Sequence, residues 1–319
     1  MDATFPVLPF RSTLYTPAEL FEGFVAEVPG SYAETPDFVA YRSTRLGPTR
    51  DVGMLRALHD QCITDARDSW LAGRRIVAIM GGHALRRDDP TYAEVVELSA
   101  ALTGDGILVA SGGGPGAMEA AHLGALLADD PAARGRAVEH LGSVPAFPPR
   151  SGWLVGDDGA VDGDVLLALH AWQRPAFEVL AAVADGRRGE SLAVPTWFYG
   201  HEPPTPLATH LAKYFSNSLR EDGLLAVAVD GIVFAPGSAG TLQEVFQDAC
   251  QNFYRVFHDR FSPMAFLDRD GCWTDRFPVG PMLEALFGAD DYRDHIRIDT
   301  DLDGLRRFLV EHPGARAAG

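Results

Sequence analysis

The sequence predicts an α/β fold on a doubly wound, mainly parallel sheet of the Rossmann-like kind, and three observations predict it. Short apolar runs such as Ile76–Met80 and Gly231–Ala235 recur along the chain, glycine-containing turns follow the clearest of them, and helical patterns come next. Apolar strands that alternate with helices belong to a sheet covered on both faces, because parallel neighbours need a crossover. Ligands of such sheets gather beyond the carboxyl ends of the strands.

Each element can be justified in order. Residues 1 to about 48 are rich in Pro, Thr, Ser and Gly and read as an irregular arm around a short helix near Pro17 to Val28. From Asp51 to Leu71, Met54, Leu55, Leu58, Cys62, Ile63, Ala66 and Trp70 recur at helical spacing, and their stripe is expected to dock on the sheet. The first strand, Ile76–Met80, leads into Gly81-Gly82-His83 and a helix from about Tyr92 to Leu102. A second unit repeats the shape: strand Gly106–Ala110, loop Ser111–Gly116, and a helix from Ala117 to about Ala128. Between residues 129 and 190 the rhythm breaks at Pro145, Pro148 and Pro149, and a helix from about Val165 to Ala184 closes an insertion. Strands are then expected at Leu192–Phe198, Gly231–Ala235, Met264–Leu267 and Ile296–Ile298. The organisation expected is an arm and helix over 1–70 and a nucleotide-binding domain over 71–319 that carries the insertion.

Composition narrows the function. The 319 residues are 46% hydrophobic and 22% charged, and their formal charge of -17 repels phosphate backbones and anionic lipid surfaces. Nucleic acid and membrane are therefore not the expected partners. Lys213 is the sole lysine, which disfavours Schiff-base chemistry. Cys62, Cys250 and Cys272 show no metal or redox spacing, and the N-terminus lacks a secretory pattern, so a cytoplasmic protein with reduced thiols is expected.

Two loops carry the chemistry. In Ser111-Gly112-Gly113-Gly114-Pro115-Gly116-Ala117-Met118 the glycines let backbone N–H groups approach an anion, and the helix that begins there adds its positive end. In Pro236-Gly237-Ser238-Ala239-Gly240-Thr241 the same arrangement returns, with Thr241 as a candidate helix cap and phosphate ligand. Glu244 stands three residues on, at the spacing of a capping-box partner. Gly112, Gly114 and Ala117 also fit a dinucleotide fingerprint, but no strand ends in an acid about 20 residues later, so a nicotinamide enzyme is disfavoured. Glu119 and His122 lie one helical turn apart without a third ligand, which reads as a helix face and not a metal site.

Gly81-Gly82-His83, the run GGGPGAMEA at 112–120, Glu202-Pro203-Pro204-Thr205-Pro206-Leu207 and PGSAGTLQE at 236–244 occur in an order that resembles the LOG, or lysine decarboxylase-like, family. The likeness is strongest to its nucleotide 5′-monophosphate nucleosidase branch and covers about residues 74–128 and 192–312. The resemblance implies hydrolysis of the N-glycosidic bond of a nucleoside monophosphate, with release of free base and ribose 5-phosphate, and it implies no cofactor and no metal. It places a catalytic carboxylate at Glu244 and a partner arginine on the preceding helix. Counting forward from the Glu-Pro-Pro segment puts that arginine at Arg220, whereas counting back from Pro236 puts Glu221 there; a one-residue insertion reconciles the two in favour of Arg220. The expected phosphate contacts are Gly82, Ser111, Gly112, Gly113, Gly114, Gly116, Ala117, Met118, Gly237, Ser238, Ala239, Gly240 and Thr241. His83, His201 and Glu202 are candidates for base or ribose contacts. Ser238 departs from the family's glycine. Val245, Phe246, Ala249, Cys250, Phe253 and Phe257 form a stripe suited to the core or to a contact in a homodimer or higher homo-oligomer. The alternative reading is a non-catalytic nucleotide-binding or sensing module.

Overall fold

Seven parallel strands order the described residues, which in this computed structural model are 5–183, 189–256 and 260–312, into one sheet covered by helices. The arm contributes α1 (Pro17–Leu20), a 3₁₀ turn (Ser31–Glu34) and α2 (Pro36–Arg45), and α3 (Arg50–Leu71) follows. The first half of the sheet domain runs β1 (Ile76–Met80), α4 (Pro90–Gly104), β2 (Leu108–Ser111), α5 (Ala117–Leu126), α6 (Pro131–Gly142), α7 (Gly163–Ala182) and β3 (Ser191–Ala193). The second half runs β4 (His210–Leu211), α8 (Asn217–Val227), β5 (Ile232–Phe234), α9 (Ala239–Tyr254), β6 (Met264–Leu267), α10 (Val279–Phe287), α11 (Ala289–His295), β7 (Ile296–Asp299) and α12 (Leu302–Glu311).

The strand order is β4-β3-β2-β1-β5-β6-β7. Connections leave β1 toward β2 on one side and β5 toward β6 on the other, so the order reverses between β1 and β5, where doubly wound sheets open a crevice. The register Ala78↔Ile232, Ile79↔Val233 and Met80↔Phe234 brings Gly81 and Pro236 to the same edge. All five residues of β1 are buried, as a central strand requires.

Several sequence expectations change. The helix near Pro17–Val28 stops at Leu20: Phe21 leaves the helical region at φ -108, and Gly23 turns the chain at φ +88. The arm is more regular than its composition suggests: Thr35 caps α2 by accepting from the Phe38 N–H. In α3, Ile63, Ala66 and Leu71 enter the sheet-side core, but Met54 is exposed. The second strand starts at Leu108, since Gly106 turns the chain at φ +78. The third ends at Ala193, two residues before Pro195, and β4 is too short for any pattern to announce it. The described residues of the insertion form two α-helices, Pro131–Gly142 capped by Asp130 and α7 with Pro175 inside, and a 3₁₀ turn at Ser151–Trp153.

Leu14, Tyr15, Phe21, Tyr32 and Phe38 of the arm share one buried cluster with Leu192 and Ile232 of the sheet. Burying each such side chain contributes roughly 1.5–3 kcal/mol, so the arm is held by its own apolar surface. Of the α9 stripe, Val245 and Ala249 are buried, while Cys250 and Phe253 are exposed; Phe257 lies outside the described residues. Among the described residues no helix is long and apolar enough to cross a membrane.

Candidate functional site

The Gly82 peptide ties the two glycine loops together. Its N–H donates to the Pro236 carbonyl at 3.1 Å, and its carbonyl accepts from the Ala117 N–H at 3.2 Å. A Cβ on Gly81 would lie 2.7 Å from that of Ala117 and 3.0 Å from that of Ala235, so the ends of β1 and β5 and the start of α5 meet only because this position lacks a side chain. The sequence-expected phosphate residues are thus brought to one edge at the reversal point.

The two loops differ in access. Ser111 to Ala117 are buried, whereas Ser238, Ala239 and Gly240 are exposed. Among the described residues the N–H groups of Ser238, Ala239, Gly240 and Thr241 donate to no protein acceptor, and those of Gly113, Gly114 and Met118 do not either. Four unpaired N–H groups at the start of α9, three of them on exposed residues, make an anion-binding end. The Ala117 N–H is already used by Gly82.

Three side chains play other parts than their positions suggested. The Ser111 hydroxyl donates to the Ile79 carbonyl at 2.6 Å and is fully buried, so it laces β2 to β1. Thr241 is not the cap of α9: the helix starts at Ala239 behind Ser238, and the Thr241 side chain packs on the Cα of Gly237, so the capping box with Glu244 does not form. Ser238 has φ -132, which an L-residue adopts without strain, and makes no capping bond of its own.

Glu244 lies one turn inside α9, and its Oε1 is 3.9 Å from Nη1 of Arg220 on α8. Their side chains are 16% and 12% exposed. Burial pushes the Glu244 carboxyl up to about 7, with Glu221 adding to the rise and Arg220 opposing it. A carboxyl that titrates near neutrality is suited to exchange protons with water. Arg220 is fixed from the other side, since its Nε donates to the Val194 carbonyl at 2.8 Å, just beyond β3.

Glu202 stands between two histidines, with Oε1 3.9 Å from Nδ1 of His83 and 4.0 Å from Nε2 of His201. Burial lowers the His201 pKa; Glu202 works against this, and the charges of Arg45 and His83 work with it. The other Glu202 oxygen lies 3.9 Å from where a Cβ on Gly114 would stand, so this group borders the first loop. Phe198 and Tyr199, exposed and in edge-to-face contact at 4.9 Å, adjoin it.

The supports of the site are what sequence reasoning missed. Asp60 of α3 accepts from the backbone N–H groups of Phe215 and Ser216 at 2.9 and 2.8 Å, holding the entrance to α8, and His59 links it to Tyr15 of the arm. Arg87 grips Glu119 with two bonds of 2.7 Å, donates to the Trp172 carbonyl and lies over that ring, which ties α5 to the insertion. A single glutamate in the otherwise apolar start of α5 was the available signal for a buried partner. His122 bonds Ser191 at 3.0 Å, and burial lowers its pKa to about 3. No three His, Cys, Asp or Glu side chains converge on a metal position among the described residues. Lys213 is buried against Asp37, which also accepts from Trp197 and Tyr32.

No protein-family model matches this chain, and no curated protein matches it either. Grooves of about 570 Å³ between α3 and α8 and about 630 Å³ between α6 and α7 are among its concavities, and neither touches Glu244. The physical reason to favour the glycine edge over these grooves is chemical: it combines open N–H donors with a carboxyl and a guanidinium.

Proposed function

We propose that this chain is a nucleoside 5′-monophosphate glycohydrolase of the LOG type, which acts in the cytoplasm and releases free base and ribose 5-phosphate. The observation that carries the reading is Glu244, a carboxyl raised to about 7 and 3.9 Å from Arg220, on the helix whose first N–H groups, Ser238 to Thr241, have no protein acceptor. The phosphate sits on those donors, which gives an acidic protein a local trap for an anion. Cleavage of the C1′–N bond leaves its electron pair on the base and positive charge on C1′ and the ring oxygen, as in oxocarbenium-like glycoside reactions. Ionised Glu244 stabilises that charge and takes one proton from the attacking water, whose oxygen bonds C1′; the departing base takes a proton from solvent, and Glu244 returns its own to solvent to regain the carboxylate. Arg220 orients the carboxylate and a ribose hydroxyl through its planar fork. Glu202, His83 and His201 border the ribose or base.

The test is incubation with a panel of nucleoside monophosphates and matching nucleosides, with chromatographic detection of base. Release from monophosphates alone, lost in Glu244→Gln, is expected. Full turnover by a folded Glu244→Gln protein overturns the role of Glu244. Binding of monophosphates with no release by the wild type overturns the enzyme in favour of a sensing module, a reading that the buried first loop favours.

A further inference from the structure

The glycines of the first loop are required for different reasons. Gly113 has φ +77, and a Cβ there would stand 2.6 Å from that of Ala193; Gly116 has φ +70 and would drive a Cβ into the Gly82 carbonyl. Both are demanded by backbone conformation and backbone or strand-end packing. Gly112 is not. Its φ is not in the positive range, and the atoms that its Cβ would meet belong to two side-chain ends. It would overlap Nη2 of Arg220 and lie 2.6 Å from Sδ of Met118. The guanidinium of Arg220 therefore rests directly on the Cα of Gly112.

That contact completes a clamp. Nε of Arg220 is fixed by the Val194 carbonyl at 2.8 Å, Nη2 rests on Gly112, and Nη1 is left facing Glu244 at 3.9 Å. A guanidinium is a rigid planar fork, so two fixed edges determine the direction of the third. The backbone of the same helix start is pinned by Asp60 through Phe215 and Ser216. We infer that Gly112 is a positioning residue for Arg220: its missing side chain seats the guanidinium so that one nitrogen is aimed at Glu244. The first glycine loop thus serves the arginine on one face, where the sequence had suggested a phosphate contact. The inference rests on the proposed function only in treating the Arg220–Glu244 pair as catalytic.

The experiment is Gly112→Ala in the full chain, read by ¹³C-carboxyl NMR titration of Glu244, which needs no turnover. Arg220 and Glu221, both on α8, are the charged groups that act on this carboxyl. With Arg220 unseated, the Glu244 midpoint moves up by about one to three pH units, the range for one charge lost from about 4 Å between water-like and surface-like screening. Gly114→Ala, whose Cβ meets Met118 at 2.9 Å and not Arg220, leaves the midpoint in place. On a substrate found in the panel, Gly112→Ala lowers kcat about tenfold with KM unchanged, as expected for lost transition-state alignment. An unmoved Glu244 midpoint in Gly112→Ala overturns the inference, whatever the activity. A moved midpoint in a chain that hydrolyses no nucleotide upholds the seat and overturns the proposed reaction instead. Should Gly112→Ala be poorly folded, urea unfolding of Gly112→Ala, Arg220→Ala and the double variant decides: the loss caused by Gly112→Ala shrinks without Arg220 to the part due to Met118 if the seat is real, and additive losses overturn it.

Discussion

Glu244→Gln should stabilise this protein at alkaline pH and leave its stability unchanged in acid. The carboxyl has an ordinary value of 4.5 and is raised to about 7 in the folded chain, with burial as the largest cause. Between those values the native state holds a proton that the unfolded state has released, so stability falls as pH rises. The contribution is fully present below about 4.5 and gone above about 7. At about 1.4 kcal/mol per pH unit, the shift corresponds to about 3 kcal/mol of stability that the wild type lacks at pH 8. Glutamine is neutral at every pH and nearly the same shape, so it avoids the burial of a charge. Urea unfolding of both proteins in parallel from about pH 4.5 to about 8.5 isolates this group, since the other titrations are common to both and cancel in the difference. The difference should be near zero in acid and grow to about 3 kcal/mol. A difference that stays constant across the range would refute a burial-raised Glu244.

Glu119→Gln leaves Arg87 buried without its bidentate partner and should cost about 3–5 kcal/mol in urea unfolding, with the arginine side chain only 1% exposed. Glu202→Ala removes the carboxylate between His83 and His201 and, on a substrate of the panel, should raise KM about tenfold with little change in kcat, the effect of losing one charge-assisted bond made equally in ground and transition states. A fall in kcat at constant KM would assign Glu202 to the chemical step instead.

The strand–turn–helix units were legible because they are local. The five apolar residues of β1 and the glycines behind β2 and β5 state their conformations within a few positions, and they sufficed for the parallel, doubly wound sheet. Helix α2 was hidden because its sequence, PDFVAYRSTR, mixes β-branched and polar residues, and it is held by the burial of Phe38 and Tyr41 against distant parts of the chain. Strand β4 exists through its pairing with Leu192 and Ala193.

At the candidate site the sequence by itself determined which residue types lie at the strand ends: glycines that admit close approach, a glutamate one turn into a helix, an arginine on the helix before. Tertiary structure alone decided what they do there. The aim of Arg220 depends on Val194 and Gly112, 26 and 108 positions away by their numbers, and the raised pKa of Glu244 depends on what buries it. Ser111, Thr241 and Glu119 were drawn into packing and bonding by groups that lie across the sheet or on the turn before the helix. Backbone preference is set by near neighbours, but the orientation and charge state of a side chain are set by whatever surrounds it in space.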